Sequence, residues 1–353
     1  MKIKLKRLLS LMVVIISGAL SQNAHALKIY TTGDAANVNT ITVSTLCLAG
    51  GGSDDAWAGG WKYLLQRSGG GDVVIIRSDG KRGGYESWIY NDTSNHGFPA
   101  VNSVQTISLR SASEANNTTV ESLVRNAELV FFAGGDQSLY INWMRGSKLE
   151  AAVEYLINTK KVPVGGTSAG MALLADIDFK AEFSAPDGGN VDSLDAMSDP
   201  TGSFIDLDRT TINPPIMANI ITDTHFSQRS RQGRLVSFMA RATRDFADIN
   251  YDQIKAIAAD EGTAACINEL GYATVYGAAN VFFLKGQQAI ERLQSGLSLH
   301  WYANHQAIAA YQIAGSALGN GQFNLNTWSG SGGSPHTWWV NGSNEANPVF
   351  GSD

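Results

Sequence analysis

The chain has 353 residues, of which 44% are hydrophobic, and this is enough apolar material to bury a large core. Its formal net charge of -6 at pH 7 argues against nucleic acid as a partner, because surfaces that bind nucleic acids are basic. After the first 26 residues, no apolar run is long enough to span a bilayer.

The first 26 residues have the three parts of a secretory signal peptide. A basic segment comes first, then an apolar run at residues 8–20 that is too short for a comfortable membrane span, then Ala-X-Ala at 24–26. The basic segment contains Lys2, Lys4, Lys6 and Arg7. We therefore expect residues 1–26 to be removed, and the mature protein to be secreted or periplasmic without membrane attachment.

Apolar runs that suit buried strands alternate with amphipathic helical patterns between residues 41 and 175. The predicted strands lie at 41–48, 72–77, 103–109, 129–132 and 162–164, and the predicted helices at 56–66, 114–126 and 138–158. This alternation predicts an α/β fold, in which a mostly parallel sheet is flanked by helices. Functional residues in such folds gather at the carboxyl ends of the strands.

The second half of the chain has a different character. Residues 176–220 are rich in Asp, Ser, Pro and Gly, which predicts long loops before an apolar strand at 220–223 and a helix at 231–246. Further strands are predicted at 254–267, 274–276 and 281–284. Beyond residue 318 the chain is rich in Gly, Ser, Asn and Trp. We expect a main domain at 27–318 and a loosely structured or strand-rich tail at 319–353.

The chain has two cysteines, Cys47 and Cys266, and both lie in apolar, strand-like runs. Export would permit a disulfide between them. Sequence alone does not bring their Cα atoms within bridging distance, so we expect two buried free thiols, with the disulfide as the alternative.

Ser168 stands in the segment Gly166-Thr-Ser-Ala-Gly170, between an apolar strand and a helix-forming run. Small residues on both sides permit a sharp turn that exposes the hydroxyl at the edge of a sheet. Free amide groups at the start of a helix favour developing negative charge. The segment therefore suits a nucleophilic serine, although an ordinary N-cap serine would give the same local pattern.

His225 lies just after the apolar strand at 220–223 and is followed by three arginines. Histidine is the usual base for a serine nucleophile. Arg229, Arg231 and Arg234 would favour a neutral imidazole and could bind carboxylates. The plainer alternatives are a buried core histidine and a solvated helix face on which the arginines pair with Asp245 or Asp248.

The glycine-rich turn Gly134-Gly135-Asp136-Gln137 follows another predicted strand. The amide of Gly135 could form an oxyanion hole with that of Ala169. Gln137 is a candidate substrate ligand, whereas Asp136 suits an N-cap.

The segments 132–137, 166–170 and 223–235 together resemble those of cyanophycinases in peptidase family S51, particularly the secreted members. That family has a flavodoxin-like fold, similar to class I glutamine amidotransferases. The resemblance implies that Ser168 is the nucleophile and His225 the general base. Residues implied to line the substrate pocket are Gln137, Asp223, Arg229, Arg231 and Arg234.

The family hydrolyses cyanophycin, a polyaspartate that carries arginine on each side chain, to β-Asp-Arg dipeptides. The resemblance implies the same substrate here, with no cofactor and no metal, and a possible homodimer. Thr224 departs from the glutamine that often precedes the family's histidine, which leaves other aspartyl peptides as alternative substrates.

The acid that would orient His225 has several candidates in the long loop after Ser168. We favour Asp195, because its Ser-X-acid context resembles that of the family, and we place Asp187 second. Asp192 and Glu182 are the other candidates.

Two other functions fit parts of the sequence. An esterase of the α/β-hydrolase type would use a histidine late in the chain, His300 or His305. A non-catalytic binding protein would stack Trp328, Trp338 and Trp339 on a polymer.

Overall fold

The computed structural model describes residues 27–210 and 212–353, and the predicted signal peptide lies outside this range. The strands are β1 Lys28–Gly33, β2 Thr45–Ala49, β3 Asp72–Arg77, β4 Ser103–Ser108, β5 Leu129–Phe132, β6 Pro163–Thr167, β7 Ile177–Phe179, β8 Leu207–Arg209, β9 Ile220–Asp223, β10 Lys255–Ala259, β11 Thr263–Asn268, β12 Tyr272–Gly277, β13 Asn280–Gly286, β14 Ile308–Ala314, β15 Asn320–Asn324, β16 Ser329–Ser331, β17 Ser334–Asn341 and β18 Val349–Ser352. The helices are α1 Ala58–Arg67, α2 Tyr85–Asn91, α3 Ala112–Ala115, α4 Thr118–Asn126, α5 Gln137–Met144, α6 Lys148–Tyr155, α7 Ala169–Ala172, α8 Ser193–Ser198 and α9 Gln232–Asp245.

The first sheet has the strand order β1-β4-β3-β5-β6-β2-β11-β12-β15-β16. Its central strands, β4, β3, β5, β6 and β2, are parallel, and their side chains are almost entirely buried, as expected for strands covered on both faces. Antiparallel strands extend the sheet at both edges. The predicted α/β fold class is confirmed.

The second sheet has the order β18-β17-β14-β13-β10-β9-β7-β8, in which β7, β9 and β10 are parallel. The segment 319–353 is built into both sheets, with β15 and β16 in the first and β17 and β18 in the second. Trp338 and Trp339 of β17 are buried against the core of this sheet.

Two predicted elements are interrupted by glycine. The single helix expected at 138–158 is two helices, because Gly146 adopts φ +70° and Ser147 caps α6 by accepting a hydrogen bond from the Glu150 amide. The single strand expected at 254–267 is the pair β10 and β11, because Gly262 at φ +66° turns the chain between them. The second break places Asp260 and Glu261 at a strand end.

The two sheets meet at the turn that follows β2. Gly50 accepts a hydrogen bond from the His225 amide (2.7 Å) and donates one to the Thr263 carbonyl (3.0 Å). The Ser168 amide donates to the Ala49 carbonyl (3.0 Å). The carboxyl ends of β2 and β6 in one sheet and of β9 in the other therefore converge on one place.

Cys47 and Cys266 form a disulfide, so the expectation of two free thiols is wrong. The residues lie directly opposite each other on the antiparallel strands β2 and β11. The sequence could not reveal this, because the two cysteines are 219 residues apart and only the sheet register pairs them.

We expect the disulfide to stabilise the fold, because it closes a long loop and restricts the unfolded chain. Replacing both cysteines with alanine should lower the free energy of unfolding by about 2–5 kcal/mol. Thermal melts with and without reductant measure this, and the double variant should not respond to reductant. Detection of two free thiols in the denatured, unreduced wild type would contradict the bridge.

Candidate active site

Ser168 occupies a strained turn between β6 and α7. Its φ of 53° and ψ of −117° are unusual for a residue with a side chain. The turn is possible because Gly166 lies against the backbone of Gly170, where any Cβ atom would overlap the Gly170 carbonyl. The strand-turn-helix predicted around Ser168 is therefore present, and it presents the hydroxyl at the carboxyl end of β6.

The imidazole of His225 lies beside this hydroxyl. Its Nε2 is 2.8 Å from the Ser168 Oγ, a distance at which the hydroxyl can donate to a neutral imidazole. The ring also lies directly against Gly51, where a side chain would overlap it. Two residues 57 positions apart, one from each sheet, thus form a nucleophile–base pair.

Glu261 completes the arrangement. The Nδ1 of His225 is 2.6 Å from the Glu261 Oε1, so Nδ1–H donates to the carboxylate and leaves Nε2 free to accept from Ser168. The amide of Glu261 donates to the side-chain carbonyl of Gln228 (3.0 Å), which helps to fix the turn between β10 and β11. The geometry is that of a serine–histidine–acid triad.

This acid corrects the sequence prediction. Asp195 and Asp192 form a reciprocal capping box at the start of α8, in which each side chain accepts from the other's backbone amide. Asp187 accepts from the Gly189 amide in a tight turn, and Glu182 pairs with Lys180. None of these carboxylates forms a hydrogen bond with His225 in the part of the chain that the structure describes.

The signal for Glu261 was present in the sequence. The triplet Asp260-Glu261-Gly262 interrupts an otherwise apolar run, and it would have placed an acid at the end of a strand. The prediction of a single strand at 254–267 left no turn at this position.

Burial lowers the pKa of His225 below its ordinary value of 6.5. The Glu261 hydrogen bond opposes this shift, while the positive charges of Arg229 and Arg231 reinforce it. A lowered pKa keeps the imidazole neutral, which is the state in which it can accept the serine proton.

The two predicted oxyanion donors flank Ser168. Ala169 begins α7, so its amide has no partner within that helix. Gly135 lies in the turn after β5, and a Cβ atom on the neighbouring Gly134 would lie 3.5 Å from the Ser168 Cβ. Asp136 caps α5 by accepting from the Ser138 amide (2.9 Å), which orders the turn that carries Gly135.

The predicted arginines line one cavity with Ser168 and His225, but they are not equivalent. Arg234 is buried and donates from Nε and Nη2 to the two carboxylate oxygens of Asp223, at 2.9 and 2.6 Å. Arg231 donates to the Thr224 carbonyl (2.7 Å) and lies 3.4 Å from the same carboxylate. Arg229 is exposed and forms no such ion pair among the described residues.

Arg231 and Arg234 therefore share the Asp223 carboxylate, and Arg229 has no carboxylate partner among the described residues. Burial lowers the pKa of Arg231 to about 10, which leaves it protonated at neutral pH. Asp245 and Asp248, the alternative partners, instead pair with Arg241 and Arg209. The predicted carboxylate-binding cluster thus consists of Arg229 and Arg231, with Arg234 anchoring Asp223.

The cavity has a volume of about 380 Å³. Gln137 forms part of its wall and is fixed by donating from Nε2 to the Phe179 carbonyl (2.8 Å). Other lining residues come from the loop between β7 and α8, namely Ala181, Phe183, Ser184, Gly189, Asn190 and Val191.

The late histidines lie elsewhere. His305 pairs with Asp353 (2.9 Å) and stacks on Trp339, and His300 accepts from the Gly342 amide. Ser168 thus has His225 as its histidine partner, which removes the basis for an esterase triad with His300 or His305. Trp338 stacks on Phe226, next to His225, and is buried there.

The described residues contain neither a metal-binding cluster nor a helix that could span a membrane. No group of three or more His, Cys, Asp or Glu side chains is placed to hold a metal ion. No described helix is both long and apolar enough to cross a bilayer.

The chain is similar in sequence to cyanophycinases. It is 24% identical to the cyanophycinase of Geminocystis herdmanii over 267 residues, which covers 74% of this chain and 84% of that protein. It is 23% identical to the cyanophycinase of Nostoc sp. over 178 residues, which covers 50% of this chain and 52% of that protein. No family model matches.

Among solved structures, a peptidase from an acI-B1 actinobacterium aligns with a TM-score of 0.47 and 18% identity, over 72% of this chain and 98% of that one. The α/β fold and the sequence relatives together support a peptidase of the S51 type.

We expect Glu261, and not Asp195, to activate Ser168. Replacing Glu261 with glutamine should slow fluorophosphonate labelling of Ser168 by roughly 10²- to 10⁴-fold, because the imidazole loses the group that fixes its tautomer. The matched Asp195→Asn variant should label at the wild-type rate. The measurement is labelling kinetics by intact mass, with Ser168→Ala as the unlabelled control. Equal rates for Glu261→Gln and wild type would contradict this assignment.

We expect labelling of Ser168 to persist into mildly acidic solution. Because the pKa of His225 is lowered, the acid limb of the rate–pH profile should have its midpoint below 6.5. Arg229→Ala removes a positive charge and should move the midpoint upward, whereas Arg229→Lys keeps the charge and should not. A wild-type midpoint above 6.5 would show that the imidazole is not held neutral in this way.

Proposed function

We propose that the protein is an exported serine peptidase that hydrolyses cyanophycin to β-Asp-Arg dipeptides. The observation that carries this proposal is the Ser168–His225–Glu261 geometry at a cavity lined by three guanidinium groups. Similarity to curated cyanophycinases supports the choice of substrate, and the signal-like residues 1–26 support export.

The chemistry is acyl transfer through a covalent intermediate. His225 Nε2 takes the Ser168 proton as Oγ attacks a main-chain carbonyl of the polyaspartate, and the amides of Ala169 and Gly135 stabilise the oxyanion. The C–N bond breaks, and His225 returns the proton to the leaving amine. Water then attacks the ester with His225 again as base, which releases the acid product and restores the Ser168 hydroxyl.

Substrate binding uses the guanidinium groups of the cavity. Arg229 is exposed and unpaired with carboxylates among the described residues, so it is available for the carboxylates of the substrate. Arg231 adds a second positive charge deeper in the same cavity. Arg234 keeps Asp223 in place, because removing one partner of a buried ion pair leaves the other charge uncompensated.

A second candidate is an S51-type peptidase that acts on other aspartyl peptides. Thr224 favours it, because this residue lines the cavity at the position where a glutamine often stands in the family. Arg229 and Arg231 would bind any acidic peptide, so the carboxylate cluster does not distinguish the two substrates.

Incubation with insoluble cyanophycin tests the proposal. We expect the wild type to release β-Asp-Arg, identified by mass, and Ser168→Ala to release at least about 10³-fold less. Cleavage of aspartyl peptides without release of β-Asp-Arg would favour the second candidate. Binding to cyanophycin without hydrolysis or labelling of Ser168 would instead show a polymer-binding protein.

A further inference from the structure

A buried carboxyl group in the cavity has an oxygen without a hydrogen-bond partner among the described residues. Asp178 lies in β7, is 1% exposed and lines the same cavity as Ser168. Its Oδ2 has no hydrogen-bond partner, and no ion pair reaches it among the residues that the structure describes. Buried carboxyl groups are normally paired, so this one is either a cost to the fold or prepared for a ligand.

A second unpartnered group lies beside it. Thr222 in β9 is 4% exposed, lines the same cavity, and its Oγ1 also has no partner. Ile177 pairs with Ile221 in the parallel ladder, so Asp178 and Thr222 occupy adjacent positions on neighbouring strands. Ile177 and Ile221 are part of the hydrophobic core, and the two polar residues therefore share the opposite face.

The surroundings of Asp178 are rich in carboxylates. Asp208 stands directly opposite on β8, and Asp206 and Asp223 are also close. Burial raises the pKa of Asp178 well above its ordinary range, and these three carboxylates raise it further. Lys180, the nearby cation that opposes the shift, is engaged by Glu182 at 3.0 Å. Asp178 itself forms no ion pair with Lys180 or with any other cation among the described residues.

We propose that Asp178 and Thr222 form a subsite for a guanidinium group of the substrate. This rests on the proposed function, since cyanophycin presents an arginine on every residue, whereas polyaspartate alone offers no cation. A guanidinium has several N–H donors in one plane, so it can reach two acceptors on adjacent strands at once. The cavity would then bind carboxylates at Arg229 and Arg231 and the cationic side chain at Asp178.

The subsite distinguishes cyanophycin from plain aspartyl peptides. A guanidinium can form an ion pair with Asp178 and satisfy both orphaned oxygens, whereas an apolar side chain leaves them unsatisfied and a neutral N–H donor forms no ion pair. Selectivity therefore comes as much from the penalty of leaving these atoms unpaired as from the new ion pair.

A pair of soluble substrates tests the subsite. One is a synthetic trimer of β-Asp-Arg units, and the other carries citrulline, a neutral analogue of arginine, at each arginine. We expect wild-type kcat/KM to favour the arginine trimer by about 10- to 100-fold. Asp178→Asn should bring this ratio close to one by lowering activity on the arginine trimer, and Thr222→Val should reduce it by a smaller factor.

Asp187→Asn is the matched control. Asp187 is an exposed carboxyl in the loop after β7 that accepts a hydrogen bond from the Gly189 amide, and it does not line the cavity. Its variant should keep the wild-type ratio. An unchanged ratio in Asp178→Asn, or an equal loss of activity on both trimers, would overturn the subsite.

A measurement on the wild type alone avoids dependence on the folding of a variant. Arginine amide should slow fluorophosphonate labelling of Ser168, and citrulline amide should not. Equal effects of the two amides would overturn the proposal. If the wild type cleaves neither trimer, the proposed function fails; if it cleaves both equally, that function stands and the subsite is wrong.

Discussion

The hydrogen bonds at the turn after β2 hold the rest of the site together. Gly50 accepts from the His225 amide and donates to Thr263, and the Gly51 carbonyl accepts from Gly262. These bonds tie the end of β2 in the first sheet to the ends of β9 and β10 in the second. His225 and Glu261 are therefore fixed relative to Ser168 on the other sheet, and a shift of this turn would separate all three side chains.

The junction requires glycine, because the neighbouring backbones and the imidazole ring approach so closely that no side chain fits between them. The His225 ring lies directly against Gly51, and Gly166 lies directly against the Gly170 backbone in the turn of Ser168. Ser168 and His225 both have positive φ, a strained conformation that the packing of the two sheets maintains. The strain places both side chains in the cavity before any substrate binds, which lowers the entropic cost of reaching a reactive geometry.

Local chemistry made some residues predictable. The small residues around Ser168 and the position of His225 after a strand made both residues candidates, the family resemblance favoured them, and the structure brings Ser168 Oγ and His225 Nε2 to 2.8 Å. Glu261 was missed because residues 254–267 were predicted as a single strand without a turn, and because its histidine partner lies 36 residues away. The sequence predicted the three arginines as a cluster, but which of them pairs with Asp223 depends on the tertiary structure.

By itself, the sequence determined the α/β class, the turn that carries Ser168, the place of His225 after a strand and the basic character of its surroundings, because each follows from periodicity or residue type over a short span. Tertiary structure decided the rest: the acid at Glu261, the bridge between Cys47 and Cys266, and the unpaired Asp178 beside Thr222. Each of these depends on strand order and register in the sheets. Such pairings are set by the packing of the whole chain, which no short segment encodes.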